Sequence, residues 1–238
     1  MSKLKLILCV LAVGLLAGGI YLYFNFNSII TRTAERIATN ALGVTVNIGS
    51  IDVSLSDKTV QVNKIEIDNP PGYKSAHAMT VDRVLIGLNT ASRELIDFND
   101  IQVKGSVVTM EVNQNGMNLL DLKNLANRKE QKESAGSEQI RVIIKKMVVD
   151  ASVIKPRITL VDRDFGDIKM PAIHFSNIGN GGKTDAGEVI VQVMTKYINE
   201  VQQQARQSGL LTGVQIPGAE DVRKTLNKAK DTLKGLFQ

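Results

Sequence analysis

The stretch Gly43-Val44-Thr45-Val46-Asn47-Ile48-Gly49-Ser50-Ile51-Asp52-Val53-Ser54-Leu55 decides the fold class. Val44, Val46 and Ile48 alternate with Thr45 and Asn47; Ile51, Val53 and Leu55 alternate with Asp52 and Ser54. Period-two alternation places apolar side chains on one face of a strand and polar ones on the other. Ser56-Asp57-Lys58-Thr59 has turn chemistry, and Val60 and Val62 continue the pattern. Ile65 and Ile67 then arrive in the opposite phase, so a bulge near Asn63-Lys64 is expected to restore the facing. Asn69-Pro70-Pro71-Gly72 ends this strand, because proline cannot donate to a ladder.

The same alternation recurs further on. One strand carries Val84, Ile86 and Leu88, and another runs from Ile101 through Val103, Val107 and Val112. Strands resume with Val142, Ile144, Met147 and Val149, then Ile158 and Leu160, then Ile168 to Ile178. Alternation punctuated by short turns predicts a mostly antiparallel sheet with one apolar and one polar face.

Helical periodicity brackets the strands. Ile30, Ala34, Ile37, Ala38, Ala41 and Leu42 form one stripe between a capping Ser28 and Gly43. Near the end, Val189, Ile190, Val193, Tyr197, Ile198 and Val201 form a second stripe between Gly187 and Gly209. After Pro217-Gly218, Val222, Leu226, Ala229, Leu233 and Leu236 form a third, with Arg223, Lys224, Lys228, Lys230 and Lys234 on the other sides. Lys123 to Gln139, with Arg128-Lys129-Glu130-Gln131-Lys132-Glu133, shows no apolar stripe and reads as a mobile loop or a charged helix end.

From Leu6 to Phe24 there are nineteen residues without a charge. At about 1.5 Å per residue they nearly cross a hydrocarbon core of about 30 Å. Lys3 and Lys5 precede the run, and no basic residue follows until Arg32. Positive flanks stay inside, so the N-terminus is expected in the cytoplasm and the bulk outside it. Tyr21, Tyr23 and Phe24 suit the far interface. Ala17-Gly18-Gly19 offers a signal-peptidase alternative, but the apolar run continues five residues past it, which favours retention as an anchor.

Composition excludes several functions. Net charge is +5 over 238 residues, and Lys3 and Lys5 account for 2 of it, leaving +3, too mild for a nucleic-acid partner. Aromatics are 4% and Trp is absent, which argues against a base-stacking platform. The single Cys9 lies in the apolar run, so the exported part has no disulfide.

Four features together resemble the AsmA-like family of envelope proteins. They are the anchor with its amphipathic helix and Ala41-Leu42-Gly43-Val44-Thr45-Val46; Ile65-Glu66-Ile67-Asp68-Asn69-Pro70-Pro71-Gly72-Tyr73; Ala78-Met79-Thr80-Val81-Asp82-Arg83-Val84 with Ile101-Gln102-Val103; and Asn118-Leu119-Leu120-Asp121-Leu122 with Ile178-Gly179-Asn180-Gly181-Gly182. The chain would be a short, single-module member. The expected architecture is α+β: an N-terminal transmembrane helix, an amphipathic helix, a twisted, mostly antiparallel sheet forming a half-open groove or barrel-like shape, and two C-terminal helices. The expected divisions are 1–27 for stub and anchor, 28–122 for helix and first sheet segment, 123–139 for a charged flexible linker, 140–182 for a second sheet segment, and 183–238 for the C-terminal helices.

The resemblance implies a non-enzymatic protein of the inner membrane, with its bulk in the periplasm. Such a protein binds or moves phospholipid, or supports outer-membrane assembly. It would work with membrane phospholipid and with envelope proteins or copies of itself, without nucleotide, cofactor or metal. The implied lipid-lining residues are Val44, Val46, Ile51, Val53, Leu55, Val60, Val62, Ile65, Ile67, Val84, Ile86 and Leu88. The alternative is a structural or interaction module whose strands bury their faces against the helices and leave no groove.

Catalytic patterns are incomplete. Gly181-Gly182-Lys183-Thr184 resembles the tail of a phosphate loop, but Asn177 stands where that loop needs glycine, so a turn into a helix is expected. Asp164-Phe165-Gly166 matches a kinase triplet without its companions. Asp162, Asp164 and Asp167 lack the remaining ligands of a calcium loop. His77 in a polar loop and His174 in a strand have no nucleophile in pattern with them, and no catalytic residue is expected.

Overall fold

The computed structural model describes residues 27–92, 94–133, 140–160, 165–179 and 181–210. The expected anchor (Leu6–Phe24), the basic stripe Val222–Leu236, and Asp162 and Asp164 lie outside these residues. Among the described residues no helix is long and apolar enough to cross a membrane. The described residues form an α+β fold with three helices and one mixed sheet.

Helix α1 covers residues 27–42, and strands β1 (Val46–Ser54), β2 (Thr59–Asp68) and β3 (His77–Ala91) follow as an antiparallel meander. The next strand expected from the sequence is interrupted at Gly105-Ser106, giving β4 (Leu95–Lys104) and β5 (Val107–Asn113). Both pair with β3, one beyond the other, so they form a single column. A two-residue β6 (Gly116–Met117) turns back on β5. Strands β7 (Arg141–Val149) and β8 (Ser152–Ile158) form the fifth column, β9 (Ile168–Met170) and β10 (Ile173–Ile178) the sixth.

The sheet is therefore not antiparallel throughout. β4 pairs parallel with β7, and β5 parallel with β8. Parallel neighbours require a crossover, usually helical. α2 (Asn118–Glu133) carries the chain from the end of column four back to the start of column five; its charged end, Arg128 to Glu133, is one of the two readings expected for 123–139, of which 134–139 lie outside the described residues. Leu119, Leu122 and Ala126 of α2 are fully buried at helical spacing, so this helix packs as a crossover. The strands within 28–122 and within 140–182 pair into one sheet.

One irregularity organises the whole sheet. In regular strands inward residues step by two; at one level every column steps by three. The pairs are Ile48 and Ile51, Val62 and Ile65, Val81 and Val84, Val103 and Ser106, Val149 and Ser152, and Met170 and Ile173. On β1, β2 and β3 the break falls on Gly49, Lys64 and Asp82, whose mutual pairs drop out of the ladder. The register is identical on either side: Ile48 faces Ile65, and Ser50 faces Asn63. Because each strand uses one residue at the same level, the facing flips without the two-against-one count of an ordinary bulge. Lys64 (φ 55°) and Gly105 (φ 67°) take left-handed backbone there. The expected local bulge at Asn63-Lys64 is thus one element of a transverse seam.

α3 (Ala186–Gln207) covers the fifth and sixth columns, packing on β7, β9 and β10, while α2 packs on β5, β6 and α3. Asp185 caps α3 by accepting from the Glu188 N–H at 2.9 Å. Tyr197 of α3 meets the seam: its hydroxyl lies 2.8 Å from Ser106 Oγ and 3.2 Å from Ser152 Oγ, all three residues being buried. α1 guards the other edge. The N–H groups of Val46, Ile48 and Ile51 donate to Thr39 Oγ1, Glu35 Oε1 and Thr31 Oγ1 at 3.0, 2.8 and 3.1 Å. Helical spacing of four residues thereby matches strand donors that follow the seam, and an otherwise open edge is satisfied.

Candidate functional site

The twelve residues expected to line a lipid groove all face the inside of the first three columns or their connections, but they do not form one open surface. Val44, Val46, Ile51, Val62, Ile67 and Val84 are buried in the core. Val53, Val60, Ile65, Ile86 and Leu88 are half-buried, and Leu55, in the β1–β2 turn, is 75% exposed. Cross-strand register sorts them into rows. Ile51, Val62, Val84, Val103 and Val149 form a closed row beside the seam. Val53, Val60 and Ile86 form the next row toward the β1–β2 turn, and it remains half-open.

The gradient has a simple cause. α2 and α3 cover columns four to six, and α1 supplies Ile30, Ala34, Ala38, Ala41 and Leu42 along the β1 side. Full burial of a Val, Leu or Ile side chain is worth about 1.5–3 kcal/mol. The half-open row realises only part of that within the chain, so an apolar ligand at this row would gain the remainder.

The opposite end of the sheet holds a polar cradle that alternation alone does not reveal. Glu111 falls on the polar face of β5 yet is only 1% exposed, because the loop after Pro70-Pro71 folds over it. Its carboxylate accepts from the backbone N–H groups of Lys74 and Ser75 at 2.8 and 2.9 Å. Burial pushes the carboxyl upward, but these donors and the positive Arg157 outweigh it and hold Glu111 below the usual glutamate range. Asn118 accepts from the Glu111 N–H at 2.9 Å and donates to Asn69 Oδ1 at 2.7 Å. Tyr73 donates to Asp121 on α2; burial and that neighbouring carboxylate push its phenol well above the ordinary range. These residues fix the loop's shape; the sequence signal was a lone acid within Val107–Asn113.

The remaining candidates lie on separate elements. His77 opens β3 rather than lying in a loop, and its Nδ1 is 2.9 Å from Asp68 Oδ1. His174 is exposed on β10 and borders a cleft of about 300 Å³ between the sixth column and Glu200, Gln203 and Gln207 of α3. The cleft lining holds no hydroxyl, thiol or amine nucleophile. Gly181 to Thr184 forms a turn leading into α3, and the Thr184 carbonyl accepts from the Val142 N–H at 2.9 Å. Asp167 is exposed, and among the described residues no cluster of three metal-ligating side chains occurs. Comparison with family models, with curated proteins and with solved structures finds no match.

Proposed function

We propose that this chain is a membrane-anchored, non-enzymatic envelope protein that binds or helps move phospholipid, with acyl chains held against the half-open row Val53, Val60 and Ile86 and its neighbour Leu88. The observation that carries the reading is the single-sided burial gradient: aliphatic side chains continue in register past the seam, beyond the columns that α2 and α3 cover. The contact would be confined to that end of the sheet rather than running its full length, because the rows nearer the seam belong to the core. A module of this size would act with envelope partners or as an oligomer to serve a second membrane or outer-membrane assembly.

Extraction in mild detergent followed by lipid mass spectrometry tests the reading. Phospholipid is expected in stoichiometric amount, and Val53→Asp and Ile86→Asp are expected to stay folded and lose it. Protein that emerges lipid-free overturns the reading. A second reading, an interaction module with a closed core, is favoured by the full burial of six of the twelve inner residues. It requires Val53→Asp to unfold the chain.

A further inference from the structure

Three large aliphatic side chains stand exposed among the described residues: Ile29 at 45%, Leu55 at 75% and Ile140 at 38%. Single exposed aliphatics are ordinary on any protein. These three are distant in sequence but gather at one end of the sheet. Ile29 lies near the start of the described part of α1, Leu55 in the β1–β2 turn, and Ile140 one residue before β7. Backbone bonds knit that end together: Leu88 N–H donates to the Lys58 carbonyl at 2.8 Å, and Arg141 N–H to the Glu94 carbonyl at 2.9 Å. The opposite end presents Asn69, Gly72, Lys74, Asn113 and Asn115, with no exposed large aliphatic among the described residues.

The chain's own geometry says what this end meets. Asn27 Nδ2 donates to Asp52 Oδ1 at 3.4 Å, tying the start of α1 to β1 three residues before Leu55. Only Asn25 and Phe26 separate Asn27 from Phe24, the last residue of the uncharged run. At no more than about 3.6 Å per residue, Asn27 lies within about 11 Å of Phe24 in any conformation. With that run in a bilayer, the Asp52 corner is held at the interface, and the polar loop end is the distal one.

We infer that this end is a membrane-docking rim: Leu55 and Ile140, with Ile29 beside the anchor, enter the interface of the bilayer that holds residues 6–24, and the strands stand away from it. The inference rests on the anchored reading above but not on lipid being carried by the sheet. Exposed Lys58 and Lys183 flank the rim with side chains long enough to reach lipid phosphates, and Arg141 there pairs with Glu94 at 3.3 Å.

The chain has no tryptophan, so a single introduced one reports cleanly. Leu55→Trp, Ile140→Trp and Asn115→Trp would each be made in the full chain and reconstituted into phosphatidylcholine–phosphatidylglycerol vesicles. Lipids brominated on the acyl chains then serve as quenchers. Leu55→Trp and Ile140→Trp are expected to lose about half their emission and shift to the blue, as interfacial indoles do, while Asn115→Trp stays unchanged. Rim probes that match Asn115→Trp overturn the inference, as does quenching of Leu55→Trp alone or of Asn115→Trp. Phospholipid that co-purifies with unquenched rim probes leaves the lipid-handling reading standing and removes this one. Quenched rim probes on lipid-free protein do the reverse. Recovery of the chain in the aqueous phase after vesicle flotation overturns both.

Discussion

The backbone N–H of Asp82 donates to the carbonyl of Gly105 at 3.3 Å, where the third column of the sheet meets the break in the fourth. A Cβ on Gly105 would stand 2.7 Å from Asp82 Cβ, and the glycine already has a φ of +67°. Gly105→Ala is therefore expected to cost about 1–3 kcal/mol from steric conflict and left-handed strain. Asp82→Ala alone, on an exposed side chain, should stay within about 0.5 kcal/mol. Urea denaturation midpoints of the two variants check both values.

Tyr197 predicts a non-additive series. Tyr197→Phe leaves the buried Ser106 and Ser152 hydroxyls without the hydroxyl they share, an expected loss of about 1–3 kcal/mol. Adding Ser106→Ala should recover part of that loss, because its orphaned hydroxyl is then gone, whereas Ser152 keeps its bond to the Asp150 carbonyl at 3.0 Å. Thermal unfolding of the Tyr197→Phe variant and of the Tyr197→Phe, Ser106→Ala double variant distinguishes this from a plain packing effect, in which the double variant would be the less stable.

The sequence made the sheet visible but not its seam. Alternation recovered the strands and flagged the odd step from Val62 to Ile65 as a local bulge. Only the register shows that Ile48, Val81, Val103, Val149 and Met170 begin the same step at the same level. The crossover helix is legible only as one of two readings, because its charged second half, Arg128 to Glu133, carries no apolar stripe and the parallel pairing that demands a crossover is nonlocal. Glu111 escaped for a related reason. Alternation assigned it to the polar face correctly, and nothing nearby in sequence announces that residues 69–75 cover it.

Glu111 should shape the acid limb of stability. Its folded-state titration lies below that of the unfolded chain, whose glutamates titrate near about 4.3. Its ionised form thus contributes stability at every pH above the unfolded value, and that contribution disappears as pH falls through the lower, folded value. Glu111→Gln is expected to lose about 1–3 kcal/mol at neutral pH and to flatten the decline in the acid range. Denaturation midpoints measured across that range for both proteins test the prediction.

The edge cover supplied by α1 can be removed without disturbing its apolar stripe. Glu35→Leu and Thr39→Val delete the acceptors for Ile48 and Val46 N–H. Each is expected to cost about 1 kcal/mol. The pair together should also introduce concentration-dependent association through the uncovered β1 edge, seen as a rise in light-scattering mass that the wild-type chain does not show.

The helical crossover carries a kinetic consequence. Columns one to four are joined by short connections, such as the four residues 55–58 and the three residues 92–94, and can zip in the order of synthesis. Column five must wait until the 27 residues from 114 to 140 have closed. By loop-closure entropy that step costs about 1.7 kcal/mol more than closing a four-residue turn. Strands β1 to β5 thus form the early nucleus, and docking of β7–β8 beneath Tyr197 sets the pace of maturation. Until it docks, the parallel edge of β4 and β5 lies bare, so the interval between synthesis and closure is when this chain most needs a chaperone.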